Sequence, residues 1–260
     1  MAHAIRASQT DLKIKFHAVD PHTSLTRQKG FKVDDFYAAR SRTIPPLPWS
    51  NIAPPFSLYG ARTGNSLRAA IALEEAGLAY VQQFIDLRAG AHRQPDFLAL
   101  NSAGQVPILV DRRVSLMVLT QSNAIMMHIA NAAPERLLPG KSAIRRARFH
   151  ESFFYFITDV IAPNNAAFQM KLAGKEKEAD YLVWRSVAKL EASERFLVDG
   201  PYMAGDRFTL ADIAGYTIAR ASEASVAWDR LGRLKAWFDL VGSRDGVRRG
   251  LQAFDVRKPN

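Results

Sequence analysis

A proline set between an apolar residue and a β-branched run, Val106-Pro107-Ile108-Leu109-Val110, limits what this chain can build there. Proline has no N–H and a fixed φ, so Pro107 belongs at a strand entrance or in a tight turn, not in mid-strand. If the Val106–Pro107 peptide is cis, as about 5–6% of X–Pro bonds are in folded proteins, the turn holds the Val106 N–H and C=O outward, free to pair with an extended peptide. Ten residues beyond Asp111, Gln121-Ser122 opens a helical pattern. It brings helix N-terminal N–H donors and a hydroxyl, a setting that suits a carboxylate. The two segments together point to a site for a small, extended, acidic peptide-like ligand. An ordinary strand start followed by a capped helix is the plainer alternative.

The pattern around this motif alternates strand and helix signals. Phe56–Tyr59 reads as a short strand. Asn65–Ala76 reads as a helix, with Gly77 at its C′ stop. Tyr80–Ile85 is a second strand and Pro95–Leu100 a short helix with proline in its first turn. Pro107–Val110 and Val114–Val118 form a hairpin through Asp111-Arg112-Arg113, and Gln121–Ala132 is the next helix. Pro134 to Lys141 reads as a linker, and beyond it no strand signal occurs. Ala143–Phe168 is a long helix interrupted near Pro163, with a stripe at Phe149, Phe153, Phe156 and Ile157. Lys175–Val198 carries Tyr181, Trp184, Val187, Leu190 and Leu197 at helical spacing. Thr209–Arg220, Leu231–Leu240 and Arg244–Phe254 follow. The expectation is an α/β unit over residues 56–135 and an all-helical unit over 142–254. Thr209 is the expected N-cap of its helix, with Asp212 at N3 completing a capping box and Phe208 and Ile213 forming a staple. That motif is structural.

Composition bounds the rest. The 260 residues are 48% hydrophobic, ample for a core in one large domain or two smaller ones. No apolar run approaches the roughly 20 residues needed to span a bilayer. The N-terminus has no apolar signal core, and Asp11, Asp20, Asp34 and Asp35 argue against a transit peptide, so a soluble cytoplasmic protein is expected. The absence of cysteine excludes disulfides, thiolate metal sites and a cysteine nucleophile, so any thiol chemistry must use a thiol carried by a ligand. His128 and His150 have no partner at ligand spacing, and no metal is expected. The net charge of +10 is spread along the chain, +4 in residues 1–55 and +6 in the remainder. It suits anionic small ligands better than nucleic acid, for which no basic-aromatic motif is present. Residues 1–55, ending in Pro45, Pro46, Pro48, Pro54 and Pro55, read as a poorly ordered extension, with Phe36 and Trp49 as candidate docking points. A misassigned start is the alternative, and deleting residues 1–50 is expected to leave a folded protein.

The ordered set of segments resembles the glutathione S-transferase superfamily, and is similar in pattern to its bacterial, cysteine-free Thr-x-Asn disulfide-reductase-like and beta-like members. The matching residues are Phe56–Gly60, Asn65–Gly77, Asn101–Pro107, Gln121-Ser122 with Ala124-Ile125, and Gly205–Ile213. They cover about residues 56–250. The resemblance implies a thioredoxin-like N-terminal domain, an all-α C-terminal domain, glutathione as co-substrate, an electrophile or disulfide as second substrate, a detoxifying role and a homodimer.

It also distributes roles. Thr63-Gly64-Asn65-Ser66 lies between the first strand and helix, where a hydroxyl or amide donor and the helix dipole favour thiolate over thiol. Thr63 and Asn65 match the family's Thr-Pro-Asn-Gly pattern, from which Gly64 and Ser66 depart. Ser66-Leu67 match a Cys-Ser-Leu pattern whose cysteine is replaced by Asn65, so no mixed disulfide forms on the protein. Thr63 and Asn65 are therefore favoured on the thiolate, with Ser66 next; capping of the helix is the alternative role for Thr63 or Asn65. His92, Arg93 and Gln94 are the candidates for the glycyl carboxylate. Gln105, Val106 and Pro107 would serve the cysteinyl unit through the Val106 backbone. Gln121 and Ser122 would hold the γ-glutamyl end, with Gln121 in place of the usual acidic residue. Tyr155, Asn164, Asn165, Phe168 and the aromatics around Phe153 are expected along the inter-domain cleft for the second substrate, with core packing the alternative role for each apolar one. A non-catalytic binding or scaffold protein of the same fold is the alternative function.

Overall fold

In a computed structural model, residues 54–114 and 116–255 are described; the expectations for residues 1–53, Phe36 and Trp49 among them, lie outside these. β1 (Phe56–Gly60) and β2 (Tyr80–Phe84) are parallel and are linked by α1 (Gly64–Ala76), the crossover that parallel neighbours require. After α2 (Pro95–Leu100), β3 (Ile108–Asp111) pairs antiparallel with β1 and β4 (Met117–Leu119) antiparallel with β3, in the order β2-β1-β3-β4. The register places Gly60 beside Phe84, Tyr59 beside Ile108, and Leu109 beside Leu119. The chain therefore leaves β1, β2 and β4, and enters β3, at one end of the sheet. That end carries Thr63, the 86–94 loop, Val106-Pro107 and Gln121-Ser122.

The helices follow: α3 (Ser122–Ala132), α4 (Pro134–Leu137), α5 (Ala143–Tyr155), α6 (Ala162–Leu172), α7 (Glu176–Ala192), α8 (Leu210–Ala221), α9 (Gly232–Gly242) and α10 (Asp245–Leu251). Four sequence expectations need correction. Residues 134–141 are not all linker, because Pro134–Leu137 turns helical and buries Leu137. The strand expected over Val114–Val118 begins only at Met117, after a turn in which the Met117 N–H bonds Val114 C=O and Leu116 has φ 58°. The break expected near Pro163 lies upstream, as a π segment over Phe156–Ile161, with Pro163 in the first turn of α6. Proline has no N–H for the preceding turn, and the wider π turn absorbs the mismatch. The helix expected to reach Val198 tightens into a 3₁₀ segment over Ser193–Val198.

Local chemistry explains the ends of α1. Thr63 caps it with its side chain, and Gly77, at φ 67°, stops it with its N–H on Glu74 C=O while Leu78 N–H bonds Leu73 C=O. Its middle, Ala69 to Leu73, is completely buried. One apolar cluster, running from Phe56 and Leu58 on β1 through Ile71 to Phe156, Trp237 and Phe254, joins the sheet region to the helical region. Gly250 of α10 lies against the backbone of Ile71, where a Cβ would approach Ile71 Cα to 2.6 Å. In α8 the capping box forms: Asp212 accepts from the Thr209 N–H at 2.8 Å and the Thr209 side chain caps the helix. Asp212 also accepts from Met203 N–H and from the Trp237 indole, both at 2.9 Å. No helix among the described residues is long and apolar enough to cross a membrane.

Candidate functional site

The turn from β1 into α1 is the most connected part of the sheet end. Thr63 Oγ1 accepts the Ser66 N–H at 3.3 Å and lies 3.0 Å from Ser66 Oγ. Ser66 is fully buried and its Oγ accepts from the Ala61 N–H at 3.4 Å. A hydroxyl has one proton and two acceptor positions. With Ser66 donating its proton to Thr63, both lone pairs of Thr63 are filled by Ser66, and the Thr63 proton is left for a group outside the turn. Asn65 is half-buried, and its Oδ1 accepts from Arg68 at 2.5 Å.

The other expected residues occupy the same end. His92 is half-buried in a 3₁₀ turn over Ala91–Arg93, while Arg93 and Gln94 are exposed ahead of α2. Asn101 is buried and bridges the next loop, donating from Nδ2 to Gln105 C=O at 2.7 Å and accepting from Ala103 N–H at 3.2 Å. That bridge, with Gly104 at φ 61°, carries the chain into a cis Val106–Pro107 peptide. Pro107 is buried, Val106 partly so, and Gln105 exposed. No hydrogen bond joins the Val106 backbone to another described residue. Gln121, exposed, is the N-cap of α3 but gives no side-chain cap; Ser122 is buried at its first position.

Three buried side-chain atoms find no hydrogen-bond partner among the described residues: Arg68 Nη1, His92 Nδ1 and Asn123 Oδ1. Buried polar atoms are nearly always partnered, and an orphan is costly. These three belong to the first turn of α1, the loop before α2 and the first turn of α3, all leading off the same sheet end. Arg68 and Asn123 are absent from the sequence-derived set. A lone arginine within Leu67–Leu73 carries no sign of being buried, and Asn123 reads as an ordinary helix residue.

One expectation is redirected by packing. Tyr155 is not free to line a cleft: it is buried, its hydroxyl donates to Lys189 C=O at 2.7 Å, and its ring meets Phe196 edge-on. Asn165 and Phe168 are exposed on α6 and Asn164 is half-buried. A cleft of about 420 Å³ exists, but at the far end of α1, lined by Glu74, Glu75, Arg136, Ser243, Arg244 and Arg249. There Arg244 forks onto Glu75 at 3.0 and 2.6 Å, and Arg249 reaches Glu74 at 2.7 Å. This is an ion-paired joint between α1 and the last helices. Among the described residues no group of three or more His, Asp or Glu is placed to hold a metal.

Residues 54–131 match the family described as the glutathione S-transferase N-terminal domain. Glutathione S-transferase 3 of Zea mays is 31% identical over 223 residues, 79% of this chain and 97% of that protein. The chain belongs to the glutathione S-transferase family. Glutathione S-transferase-I, solved with lactoylglutathione, superposes with a TM-score of 0.64 at 28% identity, over 76% of this chain and 99% of that one. Protein URE2 of Eremothecium gossypii is 39% identical over 77 residues, 29% of this chain and 22% of that protein. The thioredoxin-like α/β region followed by a helical region is the architecture of this transferase family.

Proposed function

We propose that the protein binds glutathione at the loop end of its sheet and presents it as a thiolate to an electrophile or a disulfide. The observation that carries this reading is the set of orphaned polar atoms, Arg68 Nη1, His92 Nδ1 and Asn123 Oδ1, on segments that leave the same sheet end as a Val106 backbone that no described residue pairs. Glutathione S-transferase-I, solved with lactoylglutathione, gives it further support. In this assignment Val106 pairs its N–H and C=O with the cysteinyl unit, next to the cis proline. Gln121, Ser122 and the first turn of α3 receive the γ-glutamyl end, whose carboxylate suits helix N–H donors. His92, Arg93 and Gln94 face the glycyl carboxylate. The Thr63 hydroxyl donates to the sulfur, and the N-terminus of α1 adds a positive potential; both lower the thiol pKa. Ser66, buried beneath Thr63, acts through it.

The thiolate then attacks, forming a thioether and expelling the electrophile's leaving group, or displacing one half of a substrate disulfide, which leaves as a thiolate while the other half becomes disulfide-bonded to glutathione. The chain has no cysteine to share in that exchange. Family membership supports a homodimer, which light scattering reads directly. Gln121 carries no charge for the α-ammonium group, which weakens the hold on glutathione, and a second reading, a binding or scaffold protein without turnover, is compatible with it.

The test is thermal shift with reduced glutathione, followed by rate measurements with an aryl halide and with a glutathione-capped disulfide. Ligand at 100 times its Kd stabilises by about 2.7 kcal/mol. A shift together with a glutathione-dependent rate is expected. A shift without a rate selects the binding protein, and no shift removes the glutathione reading altogether.

A further inference from the structure

Arg68 is 4% exposed, yet no carboxylate among the described residues meets it. Its Nε donates to Gly64 C=O at 3.2 Å, its Nη2 to Asn65 Oδ1 at 2.5 Å, and its Nη1 to nothing among the described residues. An arginine needed only for packing is replaceable by an apolar side chain, and one needed for an ion pair would have its acid. This one is a desolvated cation wrapped around the first turn of α1, with one edge of its guanidinium spent on two groups beside Thr63. Burial pushes its pKa down to about 10, the mark of a charge held without a counter-ion. It still carries its charge at neutral pH.

The contact with Asn65 has a chemical consequence. A guanidinium only donates, so the amide atom it touches must be the oxygen. The Asn65 Nδ2 hydrogens then point away from Arg68. We propose that Arg68 is a positioning residue of the thiolate site, which grips Asn65 Oδ1 so that the Asn65 amide presents its donors to the sulfur of bound glutathione. The assignment rests on the glutathione reading above. In the free protein no described residue supplies the cation with a counter-charge; in the complex the thiolate supplies one at the same helix end. The arrangement thereby disfavours the neutral thiol without touching the rest of the tripeptide.

The experiment titrates glutathione bound to the full chain, following thiolate absorbance in the ultraviolet against pH. Wild type, Arg68→Met, Arg68→Lys, Asn65→Ala and the Arg68→Met/Asn65→Ala double variant are compared. Arg68→Met is expected to raise the bound thiol pKa by about one unit, a tenfold lower thiolate-to-thiol ratio at a given pH, while the Kd for glutathione measured below that pKa changes less than about threefold. Arg68→Lys keeps the charge but cannot hold both Gly64 and Asn65, so it is expected to raise the pKa part of the way. In the Asn65→Ala background, removing Arg68 should add little, because the two act as one unit. If Arg68→Met does not fold, Arg68→Lys decides alone. An unchanged thiol pKa in folded Arg68→Met or Arg68→Lys overturns the proposal, as does full additivity in the double variant. Failure of wild type to bind glutathione instead overturns the reading on which the proposal rests, and the proposal with it.

Discussion

Thr63 and Ser66 form a closed pair: Ser66 N–H and Ser66 Oγ both meet Thr63 Oγ1, at 3.3 and 3.0 Å. The same oxygen therefore caps α1 and, in the proposed reaction, donates to the thiolate. The two roles separate by substitution. Thr63→Ser keeps both and should leave turnover within about threefold. Thr63→Asp keeps a capping acceptor but, ionised, has no proton to donate, so it should hold its melting temperature while turnover falls at least about tenfold, roughly 1.4 kcal/mol of transition-state stabilisation. Thr63→Ala should lose both, with a stability cost of about 1 kcal/mol. A Thr63→Asp variant with wild-type turnover would remove Thr63 from the thiolate.

Asp212 does more than complete a capping box. It also takes the Met203 N–H and the Trp237 indole, binding the loop before α8 and the helix α9 to one carboxylate. Asp212→Ala leaves the Thr209 and Met203 N–H groups, the Trp237 indole and the Thr209 hydroxyl, which donates at 3.2 Å, without their buried acceptor, so the expected cost is about 3 kcal/mol or more. For a chain of this size that is a fall of roughly 6–12 °C in Tm, measurable by calorimetry. A loss of only about 1 kcal/mol would mean that the cap alone matters.

What the sequence made legible is what short-range chemistry decides. Pro107 had to stand before a strand, Gly77 had to end a helix, and Thr209-x-x-Asp212 had to open one; each constraint is set within four residues. The four loops of the site were legible as candidates because strand and turn signals separate them, and the register that gathers them at one sheet end follows from the pairing. What was not legible depends on distant packing. Tyr155 is drawn into the core by Lys189 and Phe196, from another helix and the turn after it. The π segment ahead of Pro163 is fitted against α7, where Ser186 Oγ donates to Val160 C=O at 2.7 Å, a contact 26 residues away in the chain. Arg68 is buried because α1 is enclosed by its neighbours, and an arginine amid helix formers carries no local sign of that.

Asp111 predicts an acid limb in stability. Burial alone would raise its carboxyl, but the Arg113 fork, at 3.0 and 2.8 Å, and His128 Nε2, at 2.7 Å, hold it down to about 2. A folded pKa below the unfolded value of 3.8 means that the unfolded chain binds more protons between the two, so stability rises with pH across that window. Asp111 therefore contributes at most about 2 kcal/mol at neutral pH, of which roughly half is lost by pH 3. Urea unfolding from pH 6 to pH 3 should show this slope in wild type and a flatter one in Asp111→Asn. Equal slopes would place the acid sensitivity elsewhere.

The contact between α1 and α10 gives a sharper test of the packing that supports the site. A Cβ on Gly250 would stand 2.6 Å from Ile71 Cα and 2.7 Å from the Ile71 backbone nitrogen, atoms that cannot turn aside as a side chain can. Gly250→Ala must push α10 off α1, and overpacking of this kind costs about 1–3 kcal/mol, with the upper end expected where backbone is struck. α1 carries Asn65 and Arg68 at its start and Thr63 as its cap, so its displacement should also lower glutathione-dependent turnover. Gly232, at the start of α9, has nothing among the described residues within 4 Å of where a Cβ would sit, and no positive φ. Gly232→Ala should therefore be neutral or stabilise by up to about 1 kcal/mol, by restricting the unfolded chain. Parallel calorimetry of the two variants checks the pair. Equal melting temperatures would show that α10 is free to move away from Ile71, and that the close approach of the two helices is not what sets the position of α1.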